Sequence, residues 1–138
     1  MAKFVDLIKS GKVKTAYLQK QGALAEMTYN LNLIKDLDTV TPNLRVFSRL
    51  EAGANSALDK LKVTSTELSI VLSDANPDIA SDESYVTDLK YDWGQHFGLC
   101  NAIDEYTDFL NSKGITYPPV IKPVEKSEDL AAIVTNLL

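Results

Sequence analysis

The 138-residue chain has one cysteine, Cys100, and one histidine, His96. A single thiol forms no intramolecular disulfide and supplies no multi-cysteine zinc site. Long hydrophobic runs are also missing: nothing approaches the roughly 18 apolar residues of a membrane span. Met1 to Gly11 alternates apolar and charged residues and lacks the apolar h-region of a signal peptide. No Asn-x-Ser/Thr acceptor occurs. Gly11, Gly22, Gly53, Gly94, Gly98 and Gly114 are scattered and none follows a strand pattern, so no phosphate-cradling loop is formed. These absences lead to the expectation of a soluble protein of the reducing interior of the cell, in the cytoplasm.

What is present suits one globular domain. Apolar residues make up 45% of the chain and charged residues 24%, an ordinary balance for a packed core. The net charge of −5 is unevenly spread. Residues 1–20 hold five lysines against one carboxylate, Asp6. Lys3, Lys9, Lys12 and Lys14 are therefore candidate contacts to a nucleic acid or an anionic membrane. A solvated helix face is the commoner meaning of such a run. The acidic remainder repels a polyanion, which disfavours nucleic-acid binding by the whole domain.

Three long segments carry helical periodicity. The first, from about Lys12 to Leu37, has the seam Val13, Tyr17, Lys20, Leu24, Met27, Leu31 and Ile34, spaced alternately four and three. Thr41 and Pro42 suit an N-cap and first helical position for the second, which runs to about Ser73. There Leu44, Phe47, Ala54, Leu58, Leu61, Ser65, Leu68 and Leu72 face inward, with Leu50 and Val71 widening the stripe. Gly53, Ser65 and Thr66 weaken this helix but let a neighbour approach closely. The third segment starts at Ser81, an N-cap, with Asp82 and Glu83 favouring the helix dipole. It presents Tyr85, Val86, Leu89, Trp93, His96, Leu99, Cys100, Ile103, Tyr106 and Leu110. Gly94 and Gly98 allow a bend or tight crossing beside Trp93. Lys113-Gly114 closes the helix with a left-handed glycine.

Shorter pieces flank these segments. Residues 2–10 suit a short helix using Phe4, Leu7 and Ile8. Pro118, Pro119 and Pro123 make the stretch from Ile115 extended. Ser127 then caps a short amphipathic helix with Leu130, Ile133, Val134, Leu137 and Leu138. The expected architecture is all-α: an elongated antiparallel three-helix bundle or coiled coil over 1–114. A proline-punctuated tail ending in a short helix completes it over 115–138. The Leu137-Leu138 ending suggests a domain cut from a longer polypeptide, with a genuine terminus as the alternative.

Candidate chemistry is sparse. Asp92 and His96, four apart, share a helical face on which they could pair or bind a metal, but two ligands are too few for a site. Cys100 lies one turn beyond His96, at core spacing, and reads as a small buried hydrophobe rather than a nucleophile. Asp104, Glu105 and Asp108 read as a solvated acidic face. No catalytic residue, cofactor or metal ligand is assigned. Trp93 and Phe97, four apart and beside glycines, read first as core residues, with a role as partner anchors as the alternative. Lys20, a polar seam residue, is a further candidate: it sets register or oligomeric state, contacts a partner, or snorkels at a bundle edge.

One likeness emerges from the order of these parts. A lysine-rich start leads into Leu18-Gln19-Lys20-Gln21-Gly22-Ala23-Leu24 and a short break. A helix containing Arg49-Leu50-Glu51, a polar turn, a third helix and Tyr117-Pro118-Pro119-Val120-Ile121-Lys122-Pro123 follow. Over about residues 12–123 this resembles the N-terminal helical region of Gag polyproteins from Bel/Pao-type LTR retrotransposons. The basic pair before the glycine is reduced to Lys20-Gln21, and no zinc knuckle is present. The resemblance implies a structural, self-associating particle protein, not an enzyme. The expected function is a non-enzymatic helical scaffold that self-associates or binds a protein partner. The alternative is a small adaptor holding a peptide or partner helix in a groove.

Overall fold

The computed structural model describes residues 2–117, and every regular element among them is helical. α1 (Phe4–Leu7) is a single turn, shorter than the 2–10 expectation. α2 (Gly11–Lys35), α3 (Leu44–Ala75) and α4 (Glu83–Ser112) are the long elements, and a 3-10 turn (Ile79–Ser81) precedes α4. The proline-punctuated tail and its short helix lie outside the described residues.

The helix ends follow local chemistry. α3 is capped not by Thr41 but by Asn43, whose side chain accepts from the Val46 amide at 3.2 Å. The helix starts at Leu44, two residues later than expected, so it is Asn43, immediately before it, whose side chain reaches the third amide of the coil. α4 is capped not by Ser81, which closes the 3-10 turn, but by Asp82. Oδ1 of Asp82 accepts from the Ser84 and Tyr85 amides at 2.9 and 3.3 Å, and Oδ2 from the Phe4 amide at 2.8 Å. One carboxylate thus starts α4 and ties α1 to it. At the far end Gly114 has φ +77°, as expected. Its amide bonds the Asn111 carbonyl and the Ile115 amide the Leu110 carbonyl, so the chain reverses with its last carbonyls satisfied.

α2 and α3 lie closest together. Lys60 reaches Glu26 and Gly53 lies against Asn30, so residue numbers fall along α3 as they rise along α2. A Cβ on Gly53 would stand 2.8 Å from Asn30 Oδ1, so the glycine permits this approach. The Gly98 side of α4 has room: a Cβ there would meet Leu31 at an ordinary 3.7 Å. The tight crossing is therefore at Gly53 rather than beside Trp93.

The three seams meet in two apolar clusters. One gathers Leu24, Met27, Leu31 and Ile34 of α2 with Phe47, Leu58 and Leu61 of α3 and Leu99, Ile103, Tyr106 and Leu110 of α4. The other joins Phe4, Val13 and Ala16 to Leu68, Leu72, Ile79, Tyr85 and Leu89. Two seam expectations fail. Leu44, in the first turn of α3, is 40% exposed. Trp93 turns outward, and Asp92 takes the inner position between Leu89 and His96.

Because Asp82 serves two helices, its substitutions should separate the roles. Asp82→Ala is expected to lower stability by about 1–2 kcal/mol, measured by urea unfolding at neutral pH. Asp82→Asn keeps an acceptor for the α4 amides but loses the Phe4 tether, and should fall between the two. The Phe4 amide holds the Asp82 carboxyl below the usual carboxylate range, against the opposing effect of burial. The Tyr85 and Ser84 amides and the Lys3 charge reinforce the lowering. The wild-type advantage over Asp82→Ala should accordingly be present above about pH 4 and disappear as pH falls through that lowered value.

Candidate functional site

Between the two apolar clusters the seams turn polar. Lys20 of α2 lies between Ala16 and Ala23, Ser65 of α3 between Leu61 and Leu68, and Asp92 and His96 of α4 between Leu89 and Leu99, all buried. The Lys20 ammonium, on a side chain that leaves the residue 1% exposed, is held by two carboxylates of α4. It donates to Asp92 Oδ2 at 2.9 Å and to Asp88 Oδ2, one turn earlier on the same face. Its Nζ also stands 5.1 Å from the centre of the Tyr17 ring. The Tyr17 hydroxyl donates to Asp88 Oδ1 at 3.4 Å and accepts from Gln21. A second phenol, Tyr85, is fully buried one turn before Asp88. Neither its hydroxyl nor Asp92 Oδ1 has a hydrogen-bond partner among the described residues.

The electrostatics follow from one cation and two anions in a dry interior. Burial alone would lower the Lys20 pKa, but the Asp92 and Asp88 carboxylates outweigh it and leave the group raised and charged. Burial pushes Asp92 up to about 6 against the pull of the Lys20 ammonium, and Asp88 adds to the rise. Burial, then both carboxylates, push the Tyr85 phenol upward. A lysine serves as a nucleophile only as a neutral, reachable amine. Lys20 is neither, and its cation is spent on α4. That enclosure also removes it as a partner contact or an edge lysine.

The other candidate residues divide between inside and outside. His96 is 0% exposed and Cys100 is buried one turn on, both facing the core. Among the described residues no group of three His, Cys, Asp or Glu side chains is placed to hold a metal ion. Asp104, Glu105 and Asp108 are exposed, as are Lys3, Lys9, Lys12 and Lys14. Trp93 and Phe97 are 39% and 52% exposed, neighbours on the outer face of α4. They are not core residues. Glu51, between Phe47 and Ala54, is a further buried acid that the sequence pattern did not single out. It is 0% exposed and accepts from the Tyr117 hydroxyl at 2.7 Å. The signal was positional: residue 51 continues the four-three spacing from 47 to 54. Asp92 carries the same signal between 89 and 96.

The surface has shallow grooves along the outer side of α2 and α3. One of about 950 Å³ is lined by Lys12, Lys14, Leu18, Ile70 and Val71 among others. Another of about 470 Å³ is lined by Gly22, Ala23, Asp59, Lys60 and Val63 among others. Among the described residues no helix is long and apolar enough to cross a membrane. Comparison with protein-family models, curated proteins and solved structures returned no match.

Removing the cation should be costly because it strands the anions. Lys20→Met is expected to destabilise the protein by about 3–5 kcal/mol at pH 7, with part of the loss recovered near pH 5 as the Asp92 carboxylate takes up a proton. Asp92 behaves oppositely to a surface acid. Its raised folded value means that the native state binds the extra proton, so its contribution to stability grows as pH falls from 7 to about 5. Asp92→Asn should remove about 1 kcal/mol of that pH dependence between about pH 7 and 5, read as the difference between wild-type and variant unfolding curves across the interval.

Proposed function

We propose that the chain is a non-enzymatic helical scaffold, an elongated antiparallel three-helix bundle that self-associates or docks a protein partner through its outer faces. The observation that carries this reading is the inversion of side-chain chemistry. The buried Lys20 and Asp92, with the part-buried Asp88, are occupied in holding α2 to α4, while large apolar side chains stand outside. Leu18, Val63 and Ile70 on α2 and α3, and Trp93 and Phe97 on α4, are all substantially exposed. Apolar patches of this kind mark interaction surfaces. The resemblance to the N-terminal helical region of retrotransposon Gag proteins fits the same role, a structural protein of a cytoplasmic particle. The exposed N-terminal lysines add a minor anion-binding surface at one end, toward nucleic acid or anionic lipid.

A second reading, an adaptor that holds a partner helix, is favoured by one observation: Trp93 and Phe97 form an outward aromatic pair one turn apart. Aromatic pairs of this type serve as anchors in helix-in-groove recognition.

Sedimentation velocity from about 1 µM to about 500 µM, a range that brackets weak specific interfaces, tests the first reading. A concentration-dependent rise in sedimentation coefficient is expected. A strict monomer throughout, with unchanged behaviour in Trp93→Ala and Phe97→Ala and no partner whose binding those variants weaken, would sink both readings.

A further inference from the structure

The outer row of α2 is its own complement. Lys14, Leu18, Gly22 and Glu26 follow one another at intervals of four, so they form a single ridge along the helix, and all four are exposed. The ridge reads cation, apolar knob, gap, anion. Leu18 is 57% exposed. At Gly22 an added Cβ would meet nothing within 4 Å, so the gap is open. The 470 Å³ groove includes that gap and is lined by Ala23 and by the exposed Val63. Lys14 has no ion pair among the described residues, and Glu26 has only the exposed Lys60 at 3.3 Å.

We infer that a second copy of this chain seats on the outer face of α2 and α3, related by a two-fold axis across α2 midway between Leu18 and Gly22. This rests on the scaffold reading above and names the surface it uses. Under that axis the two ridges run in opposite directions. Leu18 of each copy enters the groove at Gly22 of the other, and Lys14 of each meets Glu26 of the other. A parallel arrangement would oppose lysine to lysine and leucine to leucine, which like-charge repulsion disfavours. The charge order therefore selects a second copy in one orientation, and isologous pairing of this kind is the commonest symmetry of soluble oligomers. From Gly11 to Glu26 the face is about 23 Å long at 1.5 Å per residue. Two helices wide, it offers roughly 500 Å² per copy, at the small end of specific interfaces. A dimer of micromolar dissociation constant is expected.

The experiment is sedimentation equilibrium of the full chain at low salt, with circular dichroism to confirm that each variant stays folded. All four positions are exposed, so folding is expected to survive. Leu18→Asp and Gly22→Leu should each weaken dimerisation by at least about tenfold, the first by losing the anchor and the second by filling the gap. Lys14→Glu and Glu26→Lys should each weaken it by about tenfold, whereas the double exchange should return it to within about threefold of wild type. A wild-type dimer indifferent to Leu18→Asp and Gly22→Leu would overturn the inference and leave the scaffold reading standing on another face. A double exchange that merely adds the two losses would overturn the two-fold register. A wild-type monomer at about 500 µM would overturn the dimer itself, while partner binding through Trp93 and Phe97 stays open to its own test.

Discussion

The constraint on which the bundle turns is that a buried ammonium cannot be left without anions. Lys20 sits where a heptad seam asks for an apolar side chain, and burying a lone charge there would cost several kcal/mol after relaxation. Asp88 and Asp92 meet that cost from the neighbouring helix, on successive turns of one face of α4. The apolar layers above and below would tolerate many registers, since leucine packs on leucine with little directionality. The ion group tolerates few, because sliding α4 by a turn would leave a cation or a carboxylate in hydrocarbon. It therefore sets the register of α2 on α4, and with it the positions of everything those helices carry outward.

The same constraint shapes the core as a whole. The polar layer interrupts a continuous hydrophobic seam and separates the cluster around Phe47, Leu58 and Tyr106 from the one around Phe4, Leu72 and Tyr85. At each end further polar anchors tie the pieces together. Asp82 joins α1 to α4, the Tyr106 hydroxyl accepts from the Asn43 amide at 2.9 Å, and Tyr117 reaches Glu51. Long helices that share only greasy stripes slide and splay. These directional bonds make one arrangement preferable to its neighbours, and they leave the apolar outer faces of α2, α3 and α4 as surfaces displayed at defined positions.

Most of the helical layout was legible in the residues. Alternating four-three spacing of large apolar side chains marked α2, α3 and α4, and Lys113-Gly114 marked the close of the last. Cap positions slipped by one or two residues, because Thr41, Asn43, Ser81 and Asp82 all carry suitable oxygens and only the path of the chain selects among them. Buried acids were harder. Glu51 and Asp92 sit at seam spacing, but carboxylates at such positions belong to solvent in most helices, and a one-dimensional pattern holds no record of a lysine or tyrosine waiting across the interface. Trp93 was placed inward for the mirror reason: a large aromatic next to a seam position looks like core until its neighbour is found to be paired.

Periodicity and composition alone thus determined that this chain is helical, where its long helices run, and which positions face inward in most turns, since these depend on local spacing and on the transfer of apolar groups from water. Tertiary structure alone decided which charged residues are buried, which aromatic faces solvent, and how α2 is keyed to α4. Those outcomes depend on partners some seventy residues away, and an ion pair exists only where two helices bring opposite charges within reach.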